Sequence, residues 1–123
     1  MQTVKILNLT KSFGKIRAVD SLSLDIEKGK ITGLIGADGS GKTTLIRLIT
    51  GLLIPDSGEI TVLGLNPAAQ KEELSTKIGY MPQKFGLYED LSIEENLQLY
   101  ADLKKLPYEF DELLEFTKLM PFK

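Results

Sequence analysis

The run Gly36-Ala37-Asp38-Gly39-Ser40-Gly41-Lys42-Thr43 carries the most specific chemistry in the sequence. It matches G-x-x-x-x-G-K-[ST], the pattern of a phosphate-binding loop. A triphosphate presents dense negative charge and needs many donors at short range. Backbone N–H groups supply them when a loop wraps the phosphates, and Cβ atoms obstruct that wrapping. Glycines at 36, 39 and 41 clear the approach and permit positive φ. Lys42 adds a point charge for the β and γ phosphates. Thr43 offers a hydroxyl to Mg²⁺, which keeps several waters and takes few protein ligands. A helix starting here would turn its N-terminal N–H groups and positive dipole end toward the anion.

Such a loop needs a strand before it and a helix after it. Ile31-Thr32-Gly33-Leu34-Ile35 reads as a short buried strand. Thr44 to Ile49 reads as a helix with an apolar stripe, and Gly51 is placed to end it. Upstream, Val4 to Leu9 alternates as a strand, and Lys11 to Lys15 reads as a turn. Ala18 to Ile26 reads as a second strand with a break near Asp20-Ser21. Glu27-Lys28-Gly29-Lys30 is a tight polar turn, so the neighbouring strands are expected to be antiparallel or nearly so. Downstream, Pro55-Asp56-Ser57-Gly58 is a turn and Glu59 to Leu63 a strand. Asn66-Pro67 is expected to open a short helix reaching Leu74, and Ile78 to Met81 to form a short strand. Ser92-Ile93-Glu94-Glu95 spells a capping box. The helix it opens has Ile93, Leu97, Tyr100, Ala101 and Leu103 or Leu106 at helical spacing, and Pro107 breaks the pattern. Phe110, Leu113, Leu114 and Leu119 suggest another helix, stopping near Met120-Pro121.

With 123 residues, 42% of them hydrophobic, the chain is one domain or part of one, with a modest core. A net charge of −2 gives no basic footprint for nucleic acid. There is no cysteine for a disulfide or thiolate site, and no histidine to act as base, ligand or switch. No stretch reaches the roughly 18 apolar residues that span a bilayer. The first residues lack the apolar core of a signal peptide. The composition is that expected of a cytosolic protein.

Six segments, in order, resemble the ATP-binding cassette (ABC) family. They are Leu9-Thr10-Lys11-Ser12-Phe13-Gly14 followed by Ala18-Val19-Asp20, the Walker A run from Gly36 to Thr44, Pro55 to Ile60, the Q-loop-like Ile78-Gly79-Tyr80-Met81-Pro82-Gln83, and Leu91 to Leu97. The stretch from Tyr80 to Asp90 is especially similar to the first cassette of YbhF-like exporter ATPases, which serve an ABC-2-type membrane permease. The resemblance implies an α/β P-loop NTPase of the ABC ATPase type. Residues 1–90 would form an antiparallel β subdomain and P-loop core, and 91–123 the start of a helical subdomain. It implies ATP and Mg²⁺ as cofactors, with Gly36, Ala37, Asp38, Gly39, Ser40, Gly41, Lys42, Thr43 and Thr44 around the phosphates. Phe13 would stack on adenine, Gln83 would touch Mg²⁺ and the attacking water, and Lys42 and Gln83 would be the catalytic groups. Asp38 stands where such loops often carry Asn, and is expected to face the loop or an opposing subunit. A second cassette and a membrane permease are the implied partners, with the protein cytoplasmic and peripheral to the membrane.

The family's later motifs are not in this sequence. No Leu-Ser is followed by Gly-Gly, no aliphatic run after Thr44 ends in Asp-Glu, and there is no switch histidine. The expectation is therefore a truncated cassette domain whose parent hydrolyses ATP. The alternatives are a non-hydrolysing nucleotide-binding fragment and a soluble ABC protein of translation or DNA repair. Apolar faces normally covered by later strands would lie bare, so self-association of the chain is expected.

Overall fold

The computed structural model describes residues 1–84 and 86–123, and these form two compact units, Met1–Ile78 and Gly79–Lys123. Phe85, inside the exporter-like stretch, lies outside the described residues.

The first unit is built on a long hairpin. Strand β1 (Gln2–Phe13) pairs antiparallel with β2 (Ile16–Glu27), and β1 also pairs antiparallel with β3 (Ser57–Val62), giving the sheet order β2-β1-β3. Period-two patterning puts Val4 and Ile6 of β1 and Ile60 and Val62 of β3 on the buried face, with Leu9 and Val19 completing it. Helix α1 (Lys42–Ile49) seats Leu45 and Leu48 on that face. Ile49 is half-buried and Ile46 exposed, so the helix buries one stripe rather than its whole circumference. Leu65 and Leu74 close the cluster, the latter from the short helix α2 (Lys71–Ser75).

Four expectations need correction. The strand β1 continues through Lys11 to Phe13, so the reversal occupies only Gly14-Lys15. Segment 31–35 forms no strand: Ile31 and Ile35 are almost fully exposed, and among the described residues nothing pairs with it. A strand exists only through a neighbour's ladder, which β propensity cannot supply. Ile78 to Met81 also forms no strand, although Ile78 packs against the core. The helix expected from Asn66 begins only at Lys71. The Asn66 side chain instead accepts from the N–H groups of Ala68 (3.0 Å) and Ala69 (3.2 Å), and its own N–H donates to Gln70 Oε1. These are the bonds of a helix N-cap, and Gln70 N–H donates to Asn66 O at 2.8 Å, so one capped turn forms at Asn66 before α2 begins.

The second unit contains helix α3 (Ile93–Lys104), helix α4 (Asp111–Phe116) and a 3₁₀ turn at Met120–Phe122. The capping box is complete: Ser92 Oγ accepts from Glu95 N–H, and Glu95 Oε2 accepts from Ser92 N–H at 2.8 Å. Lys105, left-handed, ends α3 before Pro107. Among the described residues of this unit, Ala101 of α3 and Leu114 of α4 are the buried apolar ones, and Leu103 and Phe116 stay exposed.

Candidate functional site

The phosphate-loop pattern sits where α1 begins. Its N-cap is Gly41, with φ 97° and ψ 7°, a left-handed conformation. No side chain caps this end, and no acid lies in the first turn. The first intrahelical bond is Leu45 N–H to Gly41 O at 2.9 Å, so the N–H groups of Lys42, Thr43 and Thr44 precede it. An uncapped, carboxylate-free helix start presents positive potential, the arrangement that suits an anion.

Gly41 is pressed against β2. A Cβ there would lie 2.2 Å from the carbonyl oxygen of Ala18. The β2 backbone is thus one wall of a cleft of about 290 Å³, which Val19, Asp20, Ser40, Gly41 and Lys42 also line. Leu22, Leu34, Ile35 and Leu45 give the cleft an apolar side.

Lys42 folds back over its own loop. Its ammonium donates to Gly36 O and, at 3.2 Å, to Ala37 O. Ser40 N–H also donates to Ala37 O, at 3.2 Å. Residues 36–40 and Thr43 are exposed, and Thr44 is half-buried. Asp38 is exposed at the loop's turn, beside Gly39. Among the described residues no three His, Cys, Asp or Glu side chains gather as a metal cluster. A divalent ion at this loop would therefore rely on a hydroxyl, phosphate oxygens and water, the ligand set that Mg²⁺ tolerates.

Phe13 ends β1 and is 47% exposed. It is not among the residues lining the cleft, but its neighbour Lys11 pairs across the ladder with Val19, which is. The Lys11 ammonium lies 5.5 Å from the centre of the Phe13 ring. Asp56 accepts from Ser12 N–H at 2.7 Å and meets Lys11 at 3.5 Å. The Ser12 N–H bond, aided by the Lys11 charge against some desolvation, holds the Asp56 carboxyl below its ordinary range.

Gln83 belongs to the second unit, where it is exposed in a loop. The far end of that loop is tied to α3. Tyr100 donates its hydroxyl to Gly86 O at 2.5 Å. Asn96, buried to 8% exposure, accepts from Tyr88 N–H and donates to Tyr88 O, Leu91 O and Ser92 O.

The structure thus gathers Gly36, Ser40, Gly41 and Lys42 around one cleft and leaves Phe13, of the same unit, outside its lining, while Gln83 belongs to the other unit. The Ala18 carbonyl has no side-chain signal to find it by. Asp56 and Asn96 stood in the family-like segments 55–60 and 91–97, but their residue types gave neither a role.

A family model described as ABC transporter matches residues 19–123. The probable multidrug ABC transporter ATP-binding protein YbhF of Escherichia coli is 54% identical over 110 residues. That match covers 85% of this chain and 19% of YbhF. The bacitracin transport ATP-binding protein BcrA of Bacillus licheniformis is 36% identical over 118 residues, covering 94% of this chain and 39% of BcrA. Among solved structures, an ATP-binding subunit of an ABC transporter superposes with a TM-score of 0.87 at 27% identity, over 98% of this chain and 52% of that one. The ATP-binding cassette MJ0796, in a dimeric post-hydrolysis state with ADP and Pi, superposes with a TM-score of 0.70 at 31% identity, over 82% of this chain and 47% of that one. The chain therefore spans about a fifth of YbhF and about half of the two solved cassettes.

Proposed function

Since the chain belongs to the ABC transporter family and has the P-loop NTPase fold of its ATP-binding subunits, we propose that it supplies the nucleotide-binding residues of an ATPase that drives a membrane exporter. The observation that supports this most is the uncapped start of α1, with Lys42 lying over the loop and glycine at its closest approach to β2.

In this reading the loop N–H groups from Gly36 to Thr44 hold the phosphates. Lys42 exchanges its carbonyl partners for β- and γ-phosphate oxygens, replacing neutral acceptors by charged ones. The Thr43 hydroxyl and Gln83 would hold Mg²⁺, which supplies charge neutralisation for phosphoryl transfer. Phe13 offers adenine a half-exposed ring, and Gln83 orients the attacking water. Catalysis of this kind is mainly positioning and charge stabilisation. The proposed partners are a second cassette and a membrane permease, with the protein held at the cytoplasmic face through that permease. Among the described residues, no helix is long and apolar enough to cross a membrane. The likeness to YbhF suggests drug-like cargo. The division into a core at 1–90 and a helical part at 91–123 belongs to the same proposal.

Calorimetry with Mg·ATP tests the assignment. Lys42→Ala should weaken binding about ten- to hundredfold, from the ~1.5–3 kcal/mol typical of hydrogen bonds to charged groups. Equal affinity in two folded proteins would overturn it. A non-hydrolysing binder is the second reading, since the observations at α1 concern binding of phosphate and not its release. Steady phosphate release from the chain, lost in Lys42→Ala, would exclude it.

A further inference from the structure

We propose that Asp56 is a positioning residue for nucleotide-base recognition, holding the end of β1 so that Phe13 is presented as a fixed platform. The proposal rests on the assignment of Phe13 to the adenine.

The need for such a residue follows from the ladder. Strand β3 starts at Ser57, which pairs with Thr10. Beyond Thr10, β1 has β3 as a neighbour no longer, and Lys11, Ser12 and Phe13 pair only with β2. The β1–β2 register also shifts between Leu9 and Lys11 and again between Lys11 and Ser12. A strand end that is irregular and paired on one side frays easily.

Asp56 supplies the missing rung. Its N–H donates to Thr10 O at 2.9 Å, and its Oδ2 accepts from Ser12 N–H at 2.7 Å. One residue thus meets both the carbonyl and the N–H that a further strand residue would have met. The close approach depends on Gly58, at φ +92°, where a Cβ would lie 2.3 Å from Asn8 O. The other carboxylate oxygen, Oδ1, holds the Lys11 ammonium at 3.5 Å. Lys11 in turn lies over the Phe13 ring, and its side chain is 17% exposed. Carboxylate, ammonium and ring form one chain of contacts from the 55–58 turn to the aromatic face. Phe13 itself leaves nearly half of its surface open.

Asp56 should therefore affect recognition of the base and leave recognition of the phosphates alone. The test compares Mg·ATP with Mg·tripolyphosphate, which lacks base and sugar, on the full chain. Phe13→Ala should weaken ATP about five- to hundredfold, the range of base–aromatic stacking, and leave tripolyphosphate unchanged. Asp56→Ala should weaken ATP by about threefold or more in the same selective way, since it loosens the platform without deleting it. Asp56→Asn, which keeps an acceptor for Ser12 N–H, should recover part of the loss. Lys11→Gln leaves the Ser12 bond in place and reports on the contact with the ring if Asp56→Ala does not fold. It too should lower ATP affinity selectively. If Phe13→Ala is selective and the Asp56 and Lys11 variants match the native chain, the positioning role is overturned and the platform stands. If those variants weaken both ligands equally, they act on the fold or the phosphate loop, and the proposal also fails. If Phe13→Ala leaves ATP binding unchanged, the platform assignment itself falls, and this proposal with it.

Discussion

Gly41→Ala, compared with Gly39→Ala, isolates the contact between the phosphate loop and β2. Both glycines have positive φ, +97° at 41 and +77° at 39. Forcing an L side chain into left-handed backbone costs roughly 1–2 kcal/mol at either site. Their surroundings differ. A Cβ at 39 meets nothing within 4 Å, while one at 41 falls 2.2 Å from Ala18 O and 3.2 Å from Ala18 C. Those are backbone atoms of a paired strand and cannot rotate away. Relief requires β2 and the loop to separate, an overpacking cost of about 1–3 kcal/mol. Gly41→Ala should thus destabilise by roughly 2–5 kcal/mol and Gly39→Ala by only ~1–2. Urea unfolding measures the difference directly. In the folded population, displacing the loop from its wall should also weaken Mg·ATP in Gly41→Ala by more than about tenfold, or about 1.4 kcal/mol, with a smaller effect for Gly39→Ala. Equal unfolding midpoints and equal affinities for the two variants would show that the Ala18 contact has no energetic consequence.

Asn96→Ala removes the acceptor of Tyr88 N–H and the donor to three carbonyls, all in the segment before α3. It should cost about 2 kcal/mol, mostly from groups left unsatisfied. Amide exchange at Tyr88 should accelerate, and unchanged protection there would contradict the reading. Because the folded Asp56 carboxyl titrates below its ordinary 3.8, its contribution to stability is present above that value and disappears as pH falls through the folded one. Acid titration of native chain and Asp56→Asn should therefore converge at the most acidic end, and parallel curves throughout would refute this. The exposed Ile31 and Ile35 lie on a segment with no ladder partner among the described residues, so light scattering of the dilute chain should show self-association. A sharply melting monomer without apolar dye binding would be the contrary result.

Features that are local could be read from the residues alone. The capping box at Ser92 and Glu95, the left-handed Gly39 and Gly41 of the loop and the amphipathic stripe of α1 all follow from interactions within a few residues or from helical periodicity. The ABC family was legible in the order and spacing of its motifs, because phosphate wrapping admits few residue types at each position. Tertiary structure decided whatever depends on a distant neighbour. The apolar run 31–35 is left outside the sheet because strand formation requires a ladder partner, and composition does not encode where that partner lies. The wall that Ala18 presents to Gly41, and the carboxylate of Asp56 completing a ladder some 44 residues away at Ser12, arise from backbone brought together by folding. Backbone carbonyls and N–H groups are common to every residue type, so sequence pattern alone could not single these out.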